Sequence, residues 1–335
     1  LNPFNNKQDW FLISPKPVFD IYGESIINNL STNGFNIIPI IINDGEKTKS
    51  FNYFEKYCRQ LVQHGCNRDS TLIALGGGVT GDLCGFIASS LFRGINYIQI
   101  PTSLLAMVDS SIGGKTGINI DEGKNLVGAF HHPQAVIIDP NFLISLPIRE
   151  INSGLGEIIK YGFIYEKTII PLFEQFLKNN YNLESSEIEK LIYLSASTKA
   201  KIVSKDSSEK DLRRILNFGH TVGHIIESYT NYSHISHGEA VVYGMMVALK
   251  LSIKFCNLNQ NIVNDSIKVL NNISGTSLPQ IPKEQFMEFL LRDKKVRNKK
   301  VNFILITKIG QPIIKNDIEP EIIYNHYEEL LRSNK

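Results

Sequence analysis

Four of the eight histidines, His220, His224, His234 and His237, fall in one short stretch of the chain. His220 and His224 stand at i and i+4 in Asn217-Phe218-Gly219-His220-Thr221-Val222-Gly223-His224. On a helix they share one face, a workable spacing for two imidazole ligands to one cation. Ser236-His237-Gly238-Glu239 then opens a further helical pattern. Upstream, Glu157 and Lys160 stand at i and i+3 and also share a face. A single helical histidine can be no more than a hydrogen-bonded side chain. The cluster, threaded with Gly219, Gly223 and Gly238, favours a metal. A His-His-Glu set would leave coordination positions open, as catalytic zinc sites do. Spacing alone selects His220 and His224 as the paired ligands.

A second chemistry lies earlier. Leu72-Ile73-Ala74-Leu75 runs into Gly76-Gly77-Gly78-Val79-Thr80-Gly81-Asp82. Glycines 76, 78 and 81 fit G-x-G-x-x-G after a strand and at the start of a helical stretch. Missing Cβ atoms let backbone N–H groups close on a pyrophosphate at a helix N-terminus, where the dipole favours anions. The same residues could equally form a tight strand-to-helix turn with no ligand. No Asp or Glu ends the next strand to hold a ribose; Pro101-Thr102-Ser103 stands there, so any nucleotide site is not an ordinary Rossmann one. Gly113-Gly114-Lys115-Thr116 resembles a P-loop tail, but the full pattern needs glycine where Asp109 stands, which excludes an ATPase. What remains is Lys115, with Lys124 beside Asn125, on small-residue loops. Such lysines suit a phosphate or carboxylate, or are plain surface lysines.

These residues need a scaffold. Trp10 to Ile13, Asn36 to Ile42, Thr71 to Leu75, Tyr97 to Ile100 and Ala135 to Ile138 read as strands, and Phe51 to His64 as a helix. Strands separated by helical patterns imply a parallel sheet with covered faces. After Leu146-Pro147 long helical patterns take over: Ile151 to Ile164, Glu184 to Val203, Arg213 to Tyr229 and Glu239 to Phe255, with one later apolar run at Val301 to Ile306. The expectation is an α/β nucleotide-binding domain over 1–147 and a mainly α-helical metal-binding domain over 148–335.

Composition narrows the partners. A net charge of +2 gives no footprint for nucleic acid, and the Lys294, Lys295, Arg297, Lys299, Lys300 cluster is short and local. Cys58, Cys66, Cys84 and Cys256 are scattered without a CxxC pair, which points to free thiols. No apolar run approaches membrane-spanning length and no signal peptide opens the chain. The cytoplasm is the expected compartment, with a plastid stroma open because a transit peptide would have been removed. The chain starts at Leu1, not methionine.

Taken together, the motifs resemble the 3-dehydroquinate synthase family. The matching runs are Asp44 to Ser50, Gly76 to Asp82, Pro101 to Asn119, Gly123 to Phe130, Leu146 to Glu150, Gly156 to Gly162, Leu216 to His224, His237 to Glu239 and Asp293 to Lys295. The resemblance implies a Rossmann-like nucleotide-binding domain and a helical domain enclosing NAD and a divalent metal, zinc or else cobalt. It implies a glycerol dehydrogenase-like fold and a homodimer. The implied substrate is 3-deoxy-D-arabino-heptulosonate 7-phosphate. Its C5 hydroxyl is oxidised by NAD, phosphate is eliminated, the ketone is reduced again, and ring opening with an aldol step closes the carbocycle.

Carried over by position, the metal ligands are Glu157, His220 and His237, which overrules the spacing argument; His224 contacts substrate and helps move protons. NAD lies against Asp44, Gly45, Glu46, Lys47, Thr48 and Lys49, against Gly78, Val79, Thr80, Gly81 and Asp82, and against Thr102, Ser103, Lys115, Lys124, Phe142, Leu143, Ile144 and Ser145. Substrate is held by Asp109, Lys115, Asn125, Lys160, Lys199, Arg213, Asn217 and either Lys294 or Lys295. Arg93 reaches a neighbouring subunit's site, and Glu209 matches an acid/base position. By where the shared runs begin, about fifty residues carrying the sheet's first strands are expected upstream. Ile13 to Lys16 stands where the family carries an Asp for the adenosine ribose; Ser103 and Ser207 replace a common threonine and an acid. The competing readings are a sister cyclase making an inosose or valiolone, a polyol dehydrogenase of the shared fold, and a non-catalytic nucleotide-binding fragment.

Overall fold

The computed structural model describes residues 8–231, 234–292, 296–297 and 300–333. The chain divides into two compact units, Leu1–Leu146 and Pro147–Lys335.

The first unit is built on a five-stranded parallel sheet. In chain order come β1 (Asp9–Pro15), α1 (Lys16–Val18), a π-helical turn, α2 (Glu24–Thr32), β2 (Asn36–Ile42), α3 (Phe51–Gln63), β3 (Thr71–Gly76), α4 (Gly78–Ser90) and β4 (Asn96–Pro101). An antiparallel pair follows, β5 (Lys115–Ile120) and β6 (Gly123–Phe130), then β7 (Ala135–Val136). The sheet order is β2-β1-β3-β4-β7. Trp10 to Ile13 and Leu72 to Leu75 are fully buried, as continuous apolar runs in a covered parallel sheet must be. Pro39 has no N–H to donate, and its strand β2 lies at a sheet edge, where that costs nothing. Phe11, Ile13, Leu61, Leu72, Leu83, Ile87 and Tyr97 share one core.

The pair β5–β6 departs from expectation. Lys115, Lys124 and Asn125 sit on strands, in register Lys115↔Phe130 and Gly117↔Gly128, not on loops. Glycines usually weaken strands. Here they are required: a Cβ on Gly128 would lie 2.0 Å from the Thr116 carbonyl oxygen.

The second unit is mainly helical: α5 (Ile148–Ile164), α6 (Ile169–Lys178), α7 (Ser186–Lys205), α8 (His220–Tyr229), α9 (His237–Cys256), α10 (Gln260–Asn271) and α11 (Lys283–Arg292). A small antiparallel sheet, β8 (Val296–Arg297), β9 (Lys300–Lys308) and β10 (Gln311–Ile318), precedes α12 (Pro320–Ser333). The central helix α9 is apolar nearly all round and packs against α5, α8, α10, α12 and β9. The continuous helix expected over 213–229 is broken. A 3-10 turn, Leu212–Asn217, stops at extended Phe218, and Gly219 at φ +80° restarts the chain as α8. Only glycine adopts that conformation cheaply. Among the described residues no helix is long and apolar enough to cross a membrane.

Candidate metal centre

Three helices are brought together by glycine. A Cβ on Gly238 would lie 1.9 Å from the Ser153 carbonyl oxygen, and one on Gly156 2.5 Å from that of Gly238, so α5 meets the start of α9 backbone to backbone. A Cβ on Gly244 would lie 1.8 Å from the Gly219 carbonyl oxygen, so α8 meets α9 equally closely. Each of Glu157, His220 and His237 adjoins one of these glycines in sequence. Ser236 caps α9 in a reciprocal capping box with Glu239, which fixes the backbone at His237.

The donor atoms of Glu157, His220 and His237 consequently lie within 4.8 Å of one another. Glu157 Oε1 is 3.6 Å from Nε2 of both histidines. Three ligands at tetrahedral positions around a zinc-sized cation stand about 3.4 Å apart. Glu157 is wholly buried, its Oε2 accepts from Lys160 Nζ, and its Oε1 has no hydrogen-bond partner. A buried orphaned carboxylate oxygen facing two imidazole nitrogens fits a divalent cation. The pair selected by spacing is not the one that converges: the His224 ring stands edge-on to His220 at 5.4 Å and 6.5 Å from His237, outside the donor set and exposed.

The second ring nitrogens set the orientation. His220 Nδ1 faces the Phe218 carbonyl at 3.2 Å, and His237 Nδ1 faces Glu227 Oε1 at 3.2 Å. Both acceptors favour a proton on Nδ1 and a free lone pair on Nε2. Burial, then the charges of Lys160, His237 and His224, hold the His220 imidazole well below its ordinary range. Burial also opposes charge on His237, but the Glu227 and Glu157 carboxylates outweigh it and push that imidazole up to about 10. A bound cation would take over the role of that proton.

Lys160 is buried beside Glu157; elsewhere in this unit Lys199 on α7 and Arg213 are also buried. Asn217 Nδ2 donates to Glu209 Oε1 at 2.9 Å, with Glu209 at φ +56°. Their loop is organised by Asp206, whose carboxylate accepts the N–H groups of Lys210, Asp211 and Arg213 at 3.0, 2.8 and 3.0 Å. Arg213 Nη1 donates to the Ser207 carbonyl. Sequence reasoning missed Glu227 and Asp206. Glu227 was legible as i+7 from His220 on the same face, and Asp206 as a turn-forming Asp ahead of a polar loop. Lys294 and Lys295 lie outside the described residues.

In the first unit, α4 starts at Gly78 with Gly77 as N-cap and no side-chain cap, leaving its first N–H groups available to an anion. A Cβ on Gly78 would lie 2.9 Å from Ser110 Oγ, and one on Gly81 2.5 Å from Gln99 Oε1. Val79 and Thr80 continue that first turn, and Thr102 N–H donates to the Gly76 carbonyl, setting Thr102-Ser103 beside it. Asp44 and Gly45 (φ +87°) lead into the turn Glu46–Thr48. Buried Lys49 donates to Asp82 Oδ2 at 2.6 Å and to Asn125 Oδ1. Asn119 donates to Glu46 Oε1 at 2.8 Å, and Lys124 Nζ lies 3.9 Å from the same oxygen. The structure thus gathers Glu46, Lys49, Asp82, Lys124 and Asn125. Lys47 and Lys115 are exposed, and Asp109 lies in the turn Ala106–Ser110. Phe142 and Leu143 are buried while Ile144 and Ser145 face outward; Ser145 Oγ bonds Tyr22 at 2.6 Å. Arg93 is exposed at φ +68°, after Phe92 at φ +52°.

The fold is that of the sugar phosphate cyclases and glycerol dehydrogenase-like enzymes. The chain matches a 2-deoxy-scyllo-inosose synthase, solved with carbaglucose-6-phosphate, NAD+ and Co2+, at TM-score 0.84 and 25% identity over 98% of this chain and 92% of that one. A glycerol dehydrogenase from Schizosaccharomyces pombe, at TM-score 0.72 and 15% identity over 99% and 85%, shares the fold alone. The sequence is more specific. The 3-dehydroquinate synthase N-terminal family matches residues 39–153 and its C-terminal family residues 154–296. 3-Dehydroquinate synthases of Rippkaea orientalis and Crocosphaera subtropica are each 43% identical, covering 96% and 98% of this chain and 89% and 92% of theirs. The chain belongs to the 3-dehydroquinate synthase family, and its function is the formation of 3-dehydroquinate.

Proposed function

We propose that the chain converts 3-deoxy-D-arabino-heptulosonate 7-phosphate to 3-dehydroquinate and phosphate, as a carbon–oxygen lyase using NAD and one divalent cation. The observation that carries the metal is the orphaned Glu157 Oε1 facing His220 and His237. Two nitrogen donors and one carboxylate suit zinc, with cobalt an acceptable substitute. The inosose synthase relative, which holds NAD+ and Co2+, supports the same cofactor pair. When bound, the cation would polarise substrate oxygens while NAD takes up and returns a hydride.

The chain's own groups do the rest. Lys160, Lys199 and Arg213, buried cations, balance the carboxylate and phosphate of the substrate. Exposed His224 beside the triad is placed to pass protons to solvent, and the Glu209–Asn217 pair orients a substrate hydroxyl. We assign further substrate contacts to Asp109, Lys115 and Asn125, and to Lys294 or Lys295. For NAD, the uncapped start of α4 at Gly78 to Asp82 would take the pyrophosphate. The segments Asp44 to Lys49, Thr102-Ser103 and Phe142 to Ser145, with Lys115 and Lys124, would hold the rest. The protein acts as a homodimer, with Arg93 directed at the neighbouring copy.

Phosphate release from the heptulosonate phosphate, with NAD and zinc supplied, tests this. Release without net NADH, reduced roughly a hundredfold or more by Glu157→Ala, is the expected result. Accumulating NADH, or equal release from glucose 6-phosphate, would overturn it.

A further inference from the structure

The geometry points to Glu227 as a positioning residue for the metal, a role that rests on the proposed triad. Glu227 is only 8% exposed on α8, among Val222, Ile225 and Ile226, which are buried as well. A carboxylate in such company is costly unless it is hydrogen-bonded. Its Oε1 lies 3.2 Å from His237 Nδ1. The carboxylate accepts the Nδ1 proton, so the Nε2 lone pair is held toward Glu157 Oε1, 3.6 Å away. The helix that supplies the ligand His220 therefore also supplies, two turns on, the group that aims the ligand His237 from α9.

The two imidazoles are consequently unequal. His220 is oriented by a neutral carbonyl, that of Phe218. His237 is oriented by a charged carboxylate, which makes its ring the stronger donor. Glu227 holds the tautomer and raises metal affinity without touching the cation.

The test is a series at this position, Glu227→Gln and Glu227→Met, beside Glu157→Ala. Zn2+ affinity is measured by competition with a chromophoric chelator, the ligand field by the visible spectrum with Co2+, and the melting midpoint on metal-free protein. Glu227→Gln keeps an acceptor and loses the charge, so affinity should weaken about tenfold; Glu227→Met loses both, so about a hundredfold. The Co2+ spectrum should shift in both. The metal-free midpoint should fall somewhat in both, because a buried carboxylate–imidazole contact is broken; a merely structural role would show that fall with an unchanged Co2+ spectrum. Affinities of both variants within about twofold of the parent, in a parent whose uptake is abolished by Glu157→Ala, would overturn the role of Glu227 alone. Uptake that survives Glu157→Ala would overturn the triad and Glu227 together. If Glu227→Met does not fold, Glu227→Gln decides.

Discussion

Lys160 and Asp206 show how much a single charge does in this molecule. Lys160 Nζ bonds Glu157 Oε2 where both are almost wholly buried. Removing one member of such a pair strands the other, at a cost of roughly 3–5 kcal/mol. Lys160→Met should lower the melting midpoint of the metal-free protein, and added zinc should restore much of the loss by balancing Glu157. Thermal unfolding with and without zinc checks both halves. The Asp206 carboxyl is held below its ordinary value by the N–H groups of Asp211, Arg213 and Lys210. A depressed acid contributes stability above its unfolded value, and that contribution goes as pH falls through the folded one. The 206–213 loop should therefore stay ordered at neutral pH and loosen only in acid, below the ordinary carboxylate value of 3.8. Asp206→Ala removes all three acceptor contacts at any pH and should lower kcat/KM about tenfold at pH 7.5, with Asp206→Asn, which keeps one acceptor, in between. Steady-state rates across pH would expose an error in either sign.

Between elements, the decisive contacts are glycine backbones. The tight approach at Gly244 meets a carbonyl that cannot swing aside, whereas a Cβ on Gly223 would stand 3.2 Å from the Ala240 carbonyl oxygen. Gly244→Ala should cost about 3 kcal/mol or more and weaken zinc binding by pushing α8 from α9; Gly223→Ala should cost about 1 kcal/mol. Chemical denaturation of the two variants compares them directly. The same glycines explain what was legible in the sequence. Long apolar runs such as Leu72 to Leu75 and periodic stretches such as Phe51 to Gln63 announced their elements. Spacing along one helix put His220 with His224, but the donor set crosses three helices, and His237 joins it through packing that no periodicity records. Resemblance, carried by motifs, kept His220 and named Glu157 and His237, which spacing did not. The β5–β6 pair stayed hidden because Gly117 and Gly128, essential to its closeness, are residues that ordinarily argue against a strand.

For the whole molecule, family membership spans both units, since the two family matches run from residue 39 to 296 without a gap. Among its relatives, identity is 43% to 3-dehydroquinate synthases and 25% to an inosose synthase of the same fold. We expect turnover of the heptulosonate phosphate at least about a hundredfold faster than of glucose 6-phosphate, since unpaired buried polar groups penalise a substrate lacking the matching carboxylate. Comparable rates on the two in a phosphate-release assay would contradict this. The orphaned oxygen of Glu157 also ties the protein's survival to trace nutrition. A cation that binds only the folded chain adds about 2.7 kcal/mol at a free concentration one hundred times its dissociation constant, and nothing when supply fails. A metal-starved cell would thus hold this enzyme as a more readily unfolded and degraded species, so that its abundance, and not only its catalytic state, would follow the supply of that cation.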